Sequence, residues 1–147
     1  MRLRFILCLV FGLVGCQAQP QPLTPHYLMT HPTLLKSKAA ECEQQGEENS
    51  NPDCPMITKT LDAFFALLLD QQREPEAFGK RILAAQQTYG RALAQVALTE
   101  QALSLKKASG ADAKAEALAY QNALTAADEA KAKVDVMLVV VGESSPE

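Results

Sequence analysis

The chain is predicted to be all-α, with short disulfide-pinned helices followed by a long antiparallel helical hairpin. Three observations predict it. Alanine is abundant from Ala77 onward, Trp is absent and aromatic residues make up only 5% of the chain, a composition that suits close helix packing better than a sandwich or barrel. Two stretches of about 30 residues carry apolar side chains at 3–4 spacing. Between them Ser109-Gly110 interrupts the pattern, and glycine is the residue best suited to a left-handed helix cap.

The chain opens on an address label. Arg2 and Arg4 form a basic start, Phe5 to Val14 is an apolar run of ten residues broken only by Gly12, and Leu13-Val14-Gly15-Cys16 reads as a lipobox. The run is too short to span a bilayer, which takes ~20 apolar residues. Residues 1–15 are therefore expected to be a lipoprotein signal peptide, and Cys16 the lipidation site. Several acyl chains on one residue make membrane attachment effectively permanent, at about 0.8 kcal/mol per buried methylene. Gln17 follows the cysteine. The pattern is similar to that of enterobacterial lipoproteins, in which a residue other than Asp at this position implies sorting to the outer membrane, on its periplasmic side.

Cleavage takes 15 residues from 147 and leaves 132, enough for one domain. Loss of Arg2 and Arg4 moves the net charge from −3 to −5. An acidic chain without a basic stripe cannot neutralise phosphates, which argues against nucleic acid as a partner. Cys8 leaves with the signal and Cys16 is acylated, so Cys42 and Cys54 remain as a pair in an oxidising compartment and are expected to form a disulfide. The closed loop of thirteen residues stabilises the fold by about 3 kcal/mol in the chain-entropy model. Zinc is disfavoured, because His26 and His31, the two histidines, precede the first expected helix and offer no clustered ligands.

Residues 16–29 are expected to be an acylated, Pro-rich tether, with Pro20, Pro22 and Pro25 among Gln and Thr. The single helical domain then spans 30–147. Thr30-His31-Pro32 opens its first helix, since proline is favoured at the first helical position, and Leu35, Ala39 and Cys42 share one face. Gly46, Asn49, Ser50, Asn51, Pro52 and Asp53 form a loop, and Pro55 starts the next helix. Its stretch from Met56 to Leu69 is broader than one amphipathic stripe. That stretch is either the buried centre of the fold or a partner-binding surface, with Ile57, Leu61, Phe64, Phe65 and Leu68 as the binding residues.

Glu74-Pro75-Glu76 starts the first hairpin arm, with acids at the positive end of the helix dipole. Phe78, Ala85, Ala92 and Thr99 alternate with Ile82, Tyr89, Val96 and Leu103 along one seam. Asp112 can cap the second arm. That arm reads from about Ala113 to Val140, with Ala117, Leu124, Lys131 and Leu138 interleaved with Tyr120, Ala127 and Val134, so that Lys131 interrupts its seam. Val134 to Val141 is rich in β-branched residues, and a strand added to a partner's sheet is the alternative to helix there. Residues 142–147 are expected to be disordered.

No phosphate-binding glycine loop, Gly-x-Ser-x-Gly elbow or His-Glu-x-x-His helix occurs. The chain is expected not to be an enzyme and to need no cofactor, metal or small-molecule substrate.

His31-Pro32-Thr33-Leu34-Leu35, then Ala40-Glu41-Cys42, then Asn51-Pro52-Asp53-Cys54, all after a lipobox and a short tether, resemble the small lipoproteins of conjugative and type IV secretion loci, the EexN-like entry-exclusion group. The resemblance covers about Cys16 to Cys54. It implies that the disulfide-pinned helix docks on envelope secretion machinery. The helical continuation past Cys54 fits an accessory lipoprotein of a Dot/Icm-type outer-membrane core complex better than an exclusion factor. The expected partners are therefore the membrane, through the lipid anchor, and envelope secretion-complex proteins. A free-standing entry-exclusion or periplasmic binding lipoprotein is the alternative, and an alanine-rich coiled-coil spacer that self-associates is a third.

Overall fold

A computed structural model describes residues 23–45 and 51–144. Five helices follow in order: α1 (Pro25–Met29), α2 (Pro32–Gln45), α3 (Cys54–Arg73), α4 (Pro75–Ala108) and α5 (Lys114–Ser144). Among the described residues there is no strand, so the Val134 to Val141 stretch is helical. Burial of its β-branched side chains outweighs their modest helix penalty of a few tenths of a kcal/mol, roughly.

The first element corrects the tether expected over 16–29. Thr24 accepts a hydrogen bond from the Tyr27 N–H at 3.1 Å and Pro25 stands at the first position of α1. The two make the capping pair that opens a helix, and the Pro-rich neighbourhood masked it. Leu28 is fully buried in the core. Thr30 Oγ1 closes the helix by donating to the Tyr27 carbonyl at 3.0 Å. His31 then joins the two helices: its Nδ1 lies 2.7 Å from the same Tyr27 carbonyl, and its ring is 4.1 Å from the Tyr27 ring. Because a carbonyl can only accept, that contact makes Nδ1 the protonated nitrogen. Cys16 and residues 17–22 of the expected tether lie outside the described residues.

Leu35, Ala39 and Cys42 face inward on α2 as their spacing predicts. The Cys42–Cys54 disulfide is present, with Cα atoms 5.6 Å apart, and it joins the last turn of α2 to the first residue of α3. Loop residues 46–50 are not described. On α3, Ile57, Thr60 and Phe64 are buried, and the Thr60 hydroxyl donates to the Met56 carbonyl at 2.7 Å.

Pro75 opens α4 after Glu74, and an ion pair between Asp70 and Arg81 spans the corner between α3 and α4. Every seam position expected on α4, from Phe78 to Leu103, is buried or half-buried. At the hairpin turn Gly110 has φ of 68°, a conformation that favours glycine. Asp112 Oδ1 accepts from the Lys114 N–H at 3.1 Å.

The α5 register differs from the sequence reading. Glu116, Tyr120, Ala123, Ala127, Ala130, Val134 and Met137 turn inward, whereas Lys131 and Leu138 are exposed. A heptad pattern admits its 3 and 4 steps in either order, and choosing the order with larger apolar residues placed Lys131 in the seam. The observed order brings alanines to the contact, letting the two helices approach closely, and removes the interruption. Lys131 instead pairs with Asp135 at 2.6 Å. The disorder expected over 142–147 is corrected for 142–144, because α5 continues to Ser144, whose hydroxyl donates to the Val140 carbonyl at 2.9 Å; residues 145–147 lie outside the described residues.

One core unites the fold. Leu28, Leu35, Ile57, Phe64, Phe78, Ala85, Val134, Met137 and Val140 pack together, so α1 to α3 surround only the root of the hairpin. Beyond Tyr89 the two long helices bury side chains mainly against each other: Leu103, Ala123 and Ala127. The result is a helical head with a two-helix arm of ~20 residues per strand, ~30 Å long at 1.5 Å per residue.

Candidate interaction surface

The head divides the five residues expected to bind a partner. Ile57 and Phe64 are fully buried in the core, which corrects their assignment to a binding surface. They fill the space between α2 and the hairpin root, and a residue with no exposed atoms cannot meet a partner. Leu61 and Leu68 are half-buried against the same core. Phe65 and Leu69 remain at the surface, 45% and 50% exposed. Being four residues apart, they form one apolar ridge along the outer side of α3.

A groove lies beside this helix, lined by residues of α1, α3, α4 and α5. Met29, Leu67, Phe78, Val136 and Met137 supply apolar walls, with His26, Asp70, Arg81 and Lys133 also lining it, and its volume is about 500 Å³. Phe78 is buried, so its ring is core as much as wall. Arg81 is fixed twice, by its ion pair with Asp70 and by lying 5.1 Å over the Phe78 ring. A cation over an aromatic face is attracted by the ring quadrupole, so the guanidinium plane is held at one place on the rim. Lys133 makes no ion pair among the described residues. The groove can accept an apolar side chain or chain-like ligand and present positive charge to its polar end.

Sequence reasoning missed this groove. Its lining comes from four helices spread between His26 and Met137, and no local pattern reports which faces of distant helices meet.

No protein-family model, curated protein or solved structure matches the chain.

Elsewhere the surface offers little chemistry. Among the described residues no group of three or more His, Cys, Asp or Glu is placed to hold a metal ion, and no helix is long and apolar enough to cross a membrane. Lys131 has its pKa raised, first by the hydrogen bond it donates to Asp135 and then by that carboxylate's charge. The disulfide borders a shallow surface depression of about 550 Å³ lined by Glu43, Pro55, Thr58, Lys59 and Asp62, whose charged rim is ordinary solvated surface.

The two long helices carry the remaining exposed large apolar groups, Leu138 near the head among them. Leu83, Leu93, Leu98 and Leu105 on α4 and Leu118 on α5 are all exposed. From Ile82 to Leu105 the only charged residues are Arg91 and Glu100. Exposed surfaces of soluble helices ordinarily carry more charge than this, and contiguous apolar patches mark contact sites.

Proposed function

We propose that the chain is an outer-membrane lipoprotein, held on the periplasmic side by acylated Cys16, that acts by protein–protein binding as a structural or accessory component of a bacterial type IV secretion apparatus. The observation that carries this reading is the lipobox Leu13-Val14-Gly15-Cys16 ahead of a disulfide-pinned helical head with an exposed Phe65–Leu69 ridge. An anchor followed by a small head and a protruding arm suits a part that links a membrane to neighbouring proteins. The His-Pro helix start and the Glu-Cys and Pro-Asp-Cys pairs supply the likeness to secretion-locus lipoproteins.

Two measurements test it. Labelling cells with a palmitate analogue should tag the wild-type chain and not the Cys16→Ser variant. Affinity purification from gently solubilised envelopes should recover a large assembly of envelope proteins, and recovery of free chain alone would overturn the secretion role.

Burial of Ile57 and Phe64 in the chain's own core, together with the open groove, favours a second reading. In it the chain is a free-standing entry-exclusion or periplasmic binding lipoprotein, in which the groove captures an apolar segment of an incoming protein. Purified chain that binds such a segment without any envelope assembly would select it.

A further inference from the structure

The outward face of α4 carries a pattern that its own fold does not use. Leu83, Gln87, Gly90, Ala94, Leu98, Gln101 and Leu105 follow one another at steps of 4, 3, 4, 4, 3 and 4, which keeps them on one side of a helix. All seven are exposed, with Leu83, Leu98 and Leu105 at 60%, 61% and 66%, and this side faces away from the seam with α5. None is charged. About Ala94 the row is matched at two of its three pairs, with leucines eleven positions to either side and glutamines seven, while at four positions the small Gly90 stands opposite the large Leu98.

Gly90 sharpens the pattern. A glycine inside a helix costs stability relative to alanine, and a Cβ built at Gly90 would meet nothing within 4 Å. Nothing in the chain's own packing calls for its small size.

We propose that this face pairs with the same face of a second copy, the two α4 helices running antiparallel about a two-fold axis through Ala94. A two-fold interface must be self-complementary, so each residue meets its mirror position. Here Leu83 meets Leu105, Gln87 meets Gln101 through amide hydrogen bonds, Leu98 fills the space left by Gly90, and Ala94 meets Ala94. The small centre lets the helix axes approach closely. The eleven-residue spacing, near 3.67 residues per turn, makes the two helices wrap in a slight right-handed sense along the contact.

The contact is ~33 Å long and ~10 Å wide, so it covers about 330 Å² per copy. The total for both copies, about 660 Å², is below the ~1,200 Å² of stable complexes, and the pair is weak in free solution. Tethering two copies to one membrane raises their effective concentration to roughly the millimolar range. This last step rests on the lipid-anchored reading; the pairing itself does not.

Cross-linking with a short bis-maleimide tests the proposal on the full chain, in membranes and in concentrated detergent solution, with the background of the unsubstituted chain subtracted. Ala94→Cys should link to itself. Leu83→Cys should not link to itself, since its copies stand ~33 Å apart, but should link to Leu105→Cys when the two variants are produced together. Gln95→Cys, exposed on the flank, should stay at background. Adding Leu98→Glu to Ala94→Cys should lower the yield at least about tenfold, because the axis applies each change twice. Linking of Leu83→Cys to itself, equal yields at 94 and 95, no link at 94 in either setting, or a link from 94 only to a different protein would each overturn it. Loss of the acyl label with the detergent cross-link intact would remove the anchor and leave the pairing.

Discussion

Lys36 Nζ on α2 lies 3.1 Å from Glu143 Oε2 in the last turn of α5, joining positions 107 residues apart. The pair marks where the end of the hairpin returns to the disulfide-pinned helices. Both side chains are substantially exposed, so Lys36→Ala should cost less than about 1 kcal/mol. Val140, one turn earlier and fully buried, holds the same turn by packing, and Val140→Ala should cost about 2 kcal/mol. Urea unfolding followed by helical circular dichroism distinguishes them; equal losses would mean that charge, not packing, secures the end of α5.

The division of α3 into core and surface predicts unequal substitutions at neighbouring positions. Phe64→Ala should cost about 3–5 kcal/mol and Ile57→Ala about 2–5 kcal/mol, through lost burial and the cavity left behind. Phe65→Ala and Leu69→Ala should each cost under about 1 kcal/mol while weakening any partner that docks on α3. A Phe65→Ala variant as unstable as Phe64→Ala would show that the ridge is covered within the chain.

Leu28 makes α1 part of the head rather than part of a tether. Leu28→Ala should destabilise by about 2–5 kcal/mol, read as a lower urea midpoint. A fragment starting at Thr30 should lose comparable stability, and unchanged stability of that fragment would return α1 to the tether.

Reducing the Cys42–Cys54 bond frees a loop of twelve-residue separation. The loss should be about 3 kcal/mol, and the double Cys42→Ser, Cys54→Ser variant should reproduce it. The helix content of the long hairpin should survive, since the α4–α5 seam does not include the bridge. Collapse of the whole circular-dichroism signal on reduction at room temperature would contradict this division.

Lys131, at the surface, contributes to the pH dependence. Its pKa is raised in the fold by the hydrogen bond it donates to Asp135 and by the carboxylate's charge. A raised pKa means the folded state binds the proton more tightly, so the contribution is fully present below the ordinary lysine value and is lost as pH rises through the folded value. Stability should therefore be flat in this respect through neutral pH and fall only in the alkaline range. Lys131→Met should remove that alkaline slope, as measured by thermal melts across pH; a slope left unchanged would place its origin elsewhere.

The uncharged outer face of α4 and the groove of the head differ in how legible they were. The residues of the face are consecutive turns of one helix, so their spacing and lack of charge stand in the sequence once the helix is known. What hid the face was the opposite seam, which accounts for α4 without it. The groove needed His26, Asp70, Arg81 and Lys133 to be brought together from four helices, and no local signal carries that information.

Local chemistry decided most of the elements. Pro32, Pro55 and Pro75 near helix starts, Gly110 at the left-handed turn, Asp112 as cap, the Phe78 to Leu103 seam and the Cys42–Cys54 pairing all follow from residues that act within a turn or two, or from a count of thiols. Three features were decided only by tertiary packing. Thr24-Pro25 became a helix because Leu28 had a core to enter. The α5 helix took the 4–3 order with alanines inward because close approach to α4 outweighs burying Leu138. Ile57 and Phe64 became core while Phe65 stayed outside because α2 and the hairpin root cover only one side of α3. In each case the sequence permits two arrangements of nearly equal local free energy, and the balance is struck by apolar area removed from water between segments far apart in the chain.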